Sequence, residues 1–203
     1  MPLPQRHFRV FSHIGELYEG RSVVRLLESI ARMIEQERLD ANTFQIQLVG
    51  PVQPSCLPDP AFIEKAESAE WLKIVDHQLP RPEAVHVAQT SDALILVQPH
   101  SAIQVPGKLF EYIQIGRPVL ALVPPDSSIE RLLANSGVSY VCAYTGASQP
   151  AFEEALLKFF ALDSEPKPPS AWFKQTFDSE SRAALLAGII DQAQHREQTP
   201  NQF

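Results

Sequence analysis

Short apolar runs alternate along this chain with longer segments whose apolar residues recur at helical spacing. Arg9–Ile14 reads as a first strand closed by Gly15. Val23, Val24, Leu27, Ile30, Ala31 and Ile34 then share one face of a helix over residues 22–38, with Ser22 as its candidate N-cap. Residues 44–50 form a second strand ended by Gly50 and Pro51. A proline-punctuated loop, 51–60, leads to a short helix at 61–68, and residues 71–75 form a third strand. A short helix at 84–89 precedes Ala93–Val97, an uninterrupted apolar run that suits a parallel strand covered on both faces. A helix over Gly107–Ile115 stops at Gly116. Strands at 118–123 and 138–142 flank a helix at 128–134. Helices at Gln149–Phe160 and 179–194 close the chain, separated by a stretch that includes the proline-rich loop 164–169. Six strands joined by helical crossovers imply a parallel sheet with helices on both faces. Ligands of such sheets sit at the carboxyl ends of strands, where the strand order changes direction. A site is therefore expected in the loops after the first, third and fourth strands, residues 15–21, 77–83 and 98–108.

Composition narrows the class without choosing a function. A chain of 203 residues supports one sizeable core and is too short for two domains of ordinary size. We read residues 1–194 as one domain and 195–203 as a flexible tail. A hydrophobic share of 44% with 20% charged residues is that of a globular chain, not a disordered one. The net charge of −7 argues against a nucleic-acid partner, which calls for a basic face. It still allows a diphosphate pocket, which needs only one or two cations. Cys56 and Cys142 lie far apart and outside any Cys-x-x-Cys pattern, so reduced thiols in a cytoplasmic setting are expected. His7, His86 and His195 do not group with carboxylates or cysteines at metal-ligand spacing, and no metal site is expected. Residues 1–11 lack the apolar run of a signal peptide. No apolar segment approaches the ~20 residues needed to span a bilayer.

Candidate chemistry gathers in residues 105–112, Val-Pro-Gly-Lys-Leu-Phe-Glu-Tyr. Pro106 suits the first position of a helix, where its missing N–H costs nothing. The amides that follow, from Gly107 onward, would point at the cleft and favour an anion such as a diphosphate. Lys108 and Glu111 are three apart and share one helix face. A cation for phosphate and a carboxylate for vicinal ribose hydroxyls complement a nucleotide. The competing reading is a solvent-exposed Lys–Glu pair worth about 0.3 kcal/mol. Gly15 and Gly20 let the backbone approach a ligand closely, and Arg21 after them adds a cation for diphosphate charge. Gln98, Pro99, His13 and His100 fall near the expected cleft edge. No Ser–His–Asp or Cys–His set can be assigned, and the catalytic residues stay unidentified.

Residues 105–112, followed by Gly-Arg-Pro-Val-Leu-Ala-Leu at 116–122, resemble the donor-site signature of GT-B glycosyltransferases, more narrowly the retaining family called group 1 or family 4. Residues 13–21 look like the first strand and phosphate loop of that family's C-terminal domain. Residues 44–50 look like its second strand, 91–97 like the strand before the signature, and 179–191 like its closing helix. The resemblance covers residues 8–192 and implies a Rossmann-like three-layer α/β sandwich with a six-stranded parallel sheet, the C-terminal half of a GT-B fold. It implies that Glu111 binds the ribose, and that the loop 77–83 frames the nucleobase with Leu79 and Pro80 as walls. The implied donor is a UDP- or GDP-linked sugar, with no separate cofactor. The implied partner is an N-terminal acceptor-binding domain missing from this chain, without which no transfer is expected. Two positions depart from the pattern. Glu16 stands where the family usually has an arginine, with Arg21 at or beside the position of its lysine. Glu16 is therefore expected to turn away from the ligand or to weaken the site. Ile103 falls at the first of the family's paired glutamates, and isoleucine accepts no hydrogen bond from a sugar hydroxyl. Some members with the Pro-Gly-Lys motif also lack that glutamate.

Two alternatives stay open: half of a sugar-nucleotide epimerase, and a solitary non-catalytic nucleotide-binding module. A nicotinamide-binding domain does not, because the loop Gly15-Glu-Leu-Tyr-Glu-Gly20 lacks the G-x-G-x-x-G spacing.

Overall fold

The computed structural model describes residues 8–18 and 20–197. Its elements are β1 (Arg9–Ile14), α1 (Val24–Glu35), β2 (Phe44–Val49), α2 (Pro60–Ser68), β3 (Leu72–Val75), α3 (Arg81–Thr90) and β4 (Ala93–Val97). They continue as α4 (Gly107–Ile115), β5 (Val119–Val123), α5 (Ser128–Ser136), β6 (Tyr140–Tyr144), α6 (Gln149–Phe160), α7 (Ala171–Phe177) and α8 (Ser179–Glu197). The strands form one parallel sheet in the order β3-β2-β1-β4-β5-β6. Direction reverses between β1 and β4, which places a crevice at their carboxyl ends.

β4 and β5 are buried at every position, as continuous apolar runs must be when helices cover both faces. On one face Phe11, Ile46, Leu48, Ile95 and Leu120 pack against Leu27 and Ile30 of α1 and Phe152 and Phe159 of α6. On the other, Leu94, Leu96, Val119 and Ala121 meet Leu109 and Ile113 of α4 and Ile129 and Leu133 of α5. Glu153, buried on α6, takes both Arg32 and Arg38 and so ties α6 to α1 and the turn after it. The three-layer sandwich implied by the resemblance is the architecture observed.

Several boundaries differ from the sequence reading, each for a local reason. Ser22 is not the N-cap of α1. Val23 holds that position without a side-chain cap, because Ser22 Oγ and Val23 N–H both donate to the Cys56 carbonyl in the neighbouring loop. β6 begins two residues later than expected. Val138 is buried in the turn after Gly137, and Ser136 Oγ accepts from its N–H. α3 starts at Arg81, with a proline at its first turn. α7 was not expected at all. Ser170 Oγ accepts from Phe173 N–H at 3.1 Å and caps it, and Phe173 is buried against α5 and Phe177. α8 runs through Glu197, so the start of the expected tail is helical, and the rest of that tail lies outside the described residues. No helix among the described residues is long and apolar enough to cross a membrane.

Candidate functional site

The hydrogen-bond ladder between β1 and β4 stops at Ser12–Leu94. Gly15 N–H donates to Val49 O of β2 at 2.8 Å, so by strand alternation Ile14 turns its own N–H and C=O toward β4. Helix α4 takes both. Ile14 N–H donates to the Tyr112 hydroxyl at 3.3 Å, and Lys108 Nζ donates to the Ile14 carbonyl at 2.9 Å. Lys108 and Tyr112 are four apart, which puts them on one face of α4. From β1, His13 Nδ1 bonds the Ile95 carbonyl of β4 at 3.1 Å. A carbonyl only accepts, so Nδ1 carries the proton. Three side chains thus stand in for ladder bonds where the strands part.

Cations gather in this crevice, with the Glu16 carboxylate on the wall of the cleft beside it. Among the described residues Lys108 makes no ion pair. Burial, with Arg21 as the second cause, lowers its pKa to about 8. Arg21 lies over the Tyr18 ring at 4.6 Å and has no carboxylate partner among the described residues. His13 is buried. Burial first, then Lys108, lowers its pKa to about 3, against the opposing pull of the Ile95 and Gly15 backbone. Its Nε2 is buried without a hydrogen bond of good geometry. The expectation that His13 sits at the cleft edge is corrected: it lies beneath the floor, because its side chain fills the gap left by the ended ladder. Two cations without ion-pair partners among the described residues thus lie at a sheet switch point beside a helix N-terminus, where the local potential is positive.

Gly15 has φ +120°, and a Cβ on it would lie 2.7 Å from Lys108 Nζ. The Gly50 backbone, φ +129°, packs so closely that its Cβ would meet the Gly15 carbonyl at 2.7 Å. Only glycine permits both the conformation and the approach. Gly15→Ala is expected to cost about 1–3 kcal/mol, from backbone strain and displacement of Lys108. Denaturant unfolding checks this, and unchanged stability would contradict it.

Beside Gly15 a cleft of about 340 Å³ is lined by Ile14, Glu16, Val49, Pro51, Gln78, Leu79, Arg81 and Ala84. Leu79 stands in its wall. Pro80 is the N-cap of α3 and does not line it. Glu16 does not turn away: it is exposed and lines the cleft. Glu111 pairs with Arg81 at 3.0 Å, their side chains 49% and 84% exposed. Arg81 links this cleft to a second hollow of about 450 Å³ lined by Glu111, between α3 and α4. The Lys108–Glu111 surface pair considered from the sequence is not formed, because Lys108 bends back over β1. Pro106 proves to be the N-cap of α4, one position earlier than expected. At Gly107 a Cβ would meet nothing within 4 Å, so the helix start faces open space.

The loop after β4 closes the other side. His100 is exposed and packs on Gly20, where a Cβ would come within 2.9 Å of its ring. Gln98 is buried and donates to Gln104 Oε1 at 3.0 Å, while its own Oε1 finds no partner. The Pro99 carbonyl accepts from Thr145 Oγ1. Ile103 is 83% exposed, and Ser128 N–H holds the loop beside it through the Ala102 carbonyl. Sequence reasoning missed Gly50, Gln78, Arg81 and Tyr112. Tyr112 lies inside the quoted signature, and Arg81 is the lone cation of its loop, so both signals were present.

Against solved structures, the chain is similar to an α,α-trehalose-phosphate synthase (UDP-forming) from Burkholderia vietnamiensis. The TM-score is 0.61 at 14% identity, over 96% of this chain and 46% of that one. It is similar to sucrose-phosphate synthase from Thermosynechococcus elongatus, with TM-score 0.61 at 12% identity over 95% and 47%. It also matches the C-terminal domain of a glycosyl transferase group 1 family protein from Francisella tularensis. There the TM-score is 0.52 at 11% identity, over 87% of this chain and 94% of that one. The chain spans less than half the length of the first two structures. At such identities the likeness is one of fold, and the fold is that of the C-terminal half of a GT-B glycosyltransferase. No family model and no curated protein sequence matches the chain.

Proposed function

We propose that this chain binds a nucleoside diphosphate sugar, UDP or GDP linked, as the donor-binding half of a glycosyltransferase acting in the cytoplasm. One observation carries the reading: the Lys108 ammonium, half-buried and without a counterion among the described residues, lies beside Arg21 at the switch-point crevice. The diphosphate occupies this crevice, where Lys108, Arg21 and the first amides of α4 take its charge. The base enters the adjoining cleft against Leu79 and Pro51. The ribose hydroxyls displace Arg81 from Glu111. That exchange is inexpensive, since an exposed ion pair contributes at most about 1 kcal/mol.

During transfer, negative charge builds on the departing diphosphate, and fixed cations at that place favour the transition state over the ground state. Acceptor binding and the remaining catalytic groups belong to an N-terminal partner domain, so this chain alone is inactive. The fold neighbours named above include a UDP-forming enzyme and a group 1 glycosyl transferase, which supports this reading.

A thermal-shift series with UDP, GDP, ADP and NAD is the test. UDP or GDP at about a hundredfold over its Kd stabilises by about 2.7 kcal/mol, and Glu111→Ala removes most of the shift. Preferential stabilisation by NAD, or none by any nucleotide, contradicts the reading.

A further inference from the structure

We propose that Tyr112 is a positioning residue for the diphosphate: it holds the end of β1 to α4 through the Ile14 N–H while Lys108 leaves the Ile14 carbonyl for the ligand. This rests on the nucleotide-binding reading and deepens it. The geometry is that of a two-part clamp. One face of α4 supplies a donor and an acceptor, one turn apart, and both close on the last residue of β1. Ile14 needs them because β4 no longer pairs there.

The two halves differ in what they can do. Lys108 ends in a flexible ammonium with three donors, able to exchange a carbonyl for a phosphate oxygen that attracts it more strongly. Tyr112 is a rigid ring, 3% exposed, with no rotamer freedom to follow a ligand. When Lys108 departs, the Ile14 carbonyl loses its donor. Directly after it stands Gly15 at φ +120°, opening the loop that leads to Arg21. Gly15 N–H keeps that peptide on β2 through the Val49 carbonyl, but the end of β1 also needs a hold on α4, the helix that carries Lys108 and the first amides facing the anion. Tyr112 supplies the hold, and its hydroxyl never touches the ligand.

Tyr112→Phe in the full chain is the test, since it keeps the ring and removes only the hydroxyl. Calorimetry with UDP or GDP, whichever the unaltered protein binds, is compared with the matching nucleoside. The variant is expected to bind the diphosphate about 3- to 10-fold more weakly, the worth of one net hydrogen bond. Nucleoside affinity should change less than about 2-fold. A merely structural role would weaken both equally, and that outcome overturns the proposal, as does an unchanged diphosphate affinity. Amide hydrogen exchange gives an independent readout. Ile14 N–H should exchange at least about tenfold faster in the variant while Phe11 N–H does not change. Equal protection of Ile14 in both proteins removes the clamp. If the unaltered protein binds neither UDP nor GDP, the nucleotide reading itself fails, a result separate from any effect of the hydroxyl.

Discussion

Lys108→Met is expected to weaken UDP or GDP binding by about 10- to 100-fold at pH 7, the span that a charge-assisted hydrogen bond of about 1.5–3 kcal/mol allows. Methionine keeps the apolar stem over Gly15 and loses only the ammonium. Protein stability should fall little, because the desolvation that lowers the lysine pKa to about 8 is relieved as the bond to Ile14 is lost. The pH dependence sharpens the prediction. Its titratable and charged neighbours are His13 beneath, Arg21 beside it, the Tyr112 hydroxyl on the same residue of β1 and the Glu16 carboxylate on the adjoining cleft wall, and burial followed by Arg21 sets its pKa. The free protein therefore holds Lys108 charged below about pH 8 and progressively neutral above it, so affinity falls as pH rises through 8. The methionine variant binds weakly and without that fall. Isothermal calorimetry from pH 7 to 9.5 checks both. Equal affinities, or the same pH slope in the two proteins, would show that Lys108 does not meet the ligand.

Acid should destabilise the protein through His13 before the carboxylates titrate. In the unfolded chain this imidazole protonates near its ordinary value of 6.5, whereas in the native crevice it stays neutral down to about 3. Between these values the unfolded state binds the extra proton, so stability is lost as pH falls through that window. From pH 6.5 to 4.5 the loss is about 2–3 kcal/mol at about 1.4 kcal/mol per unit, a large share of a domain's usual 5–15 kcal/mol. His13→Gln retains a donor for the Ile95 carbonyl and has no proton to bind. It is expected to lose much less over the same range. Urea unfolding at pH 7, 5.5 and 4.5 compares them, and parallel curves would contradict the assignment of the acid sensitivity to His13.

β4 was legible as a continuous apolar run and α4 as a helical pattern stopped by Gly116, and at Ala93–Val97 and Gly107–Ile115 both ends agree with the structure. α7 was not. Its seven residues follow a proline-rich loop, and its cap, Ser170, signals a helix only once Phe173 is known to be buried. The site divides in the same way. Lys108, Gly15 and Leu79 stand at the crevice because motif position and backbone direction are local properties. The role of Lys108 against β1, the burial of His13 and the Arg81–Glu111 pair were not legible. The first two depend on β1 and β4 being neighbours without pairing to their ends, and the third on α3 lying beside α4, long-range facts that no spacing encodes. Glu16 shows the limit of a motif: its position was legible, its orientation was not.

The most direct measurement is a crystal structure of the chain grown with UDP or GDP. A phosphate oxygen should lie within hydrogen-bonding distance of Lys108 Nζ, with the Ile14 carbonyl released and the ribose against Glu111. A nucleotide bound elsewhere, with Lys108 still resting on Ile14, would contradict the assignment of this crevice.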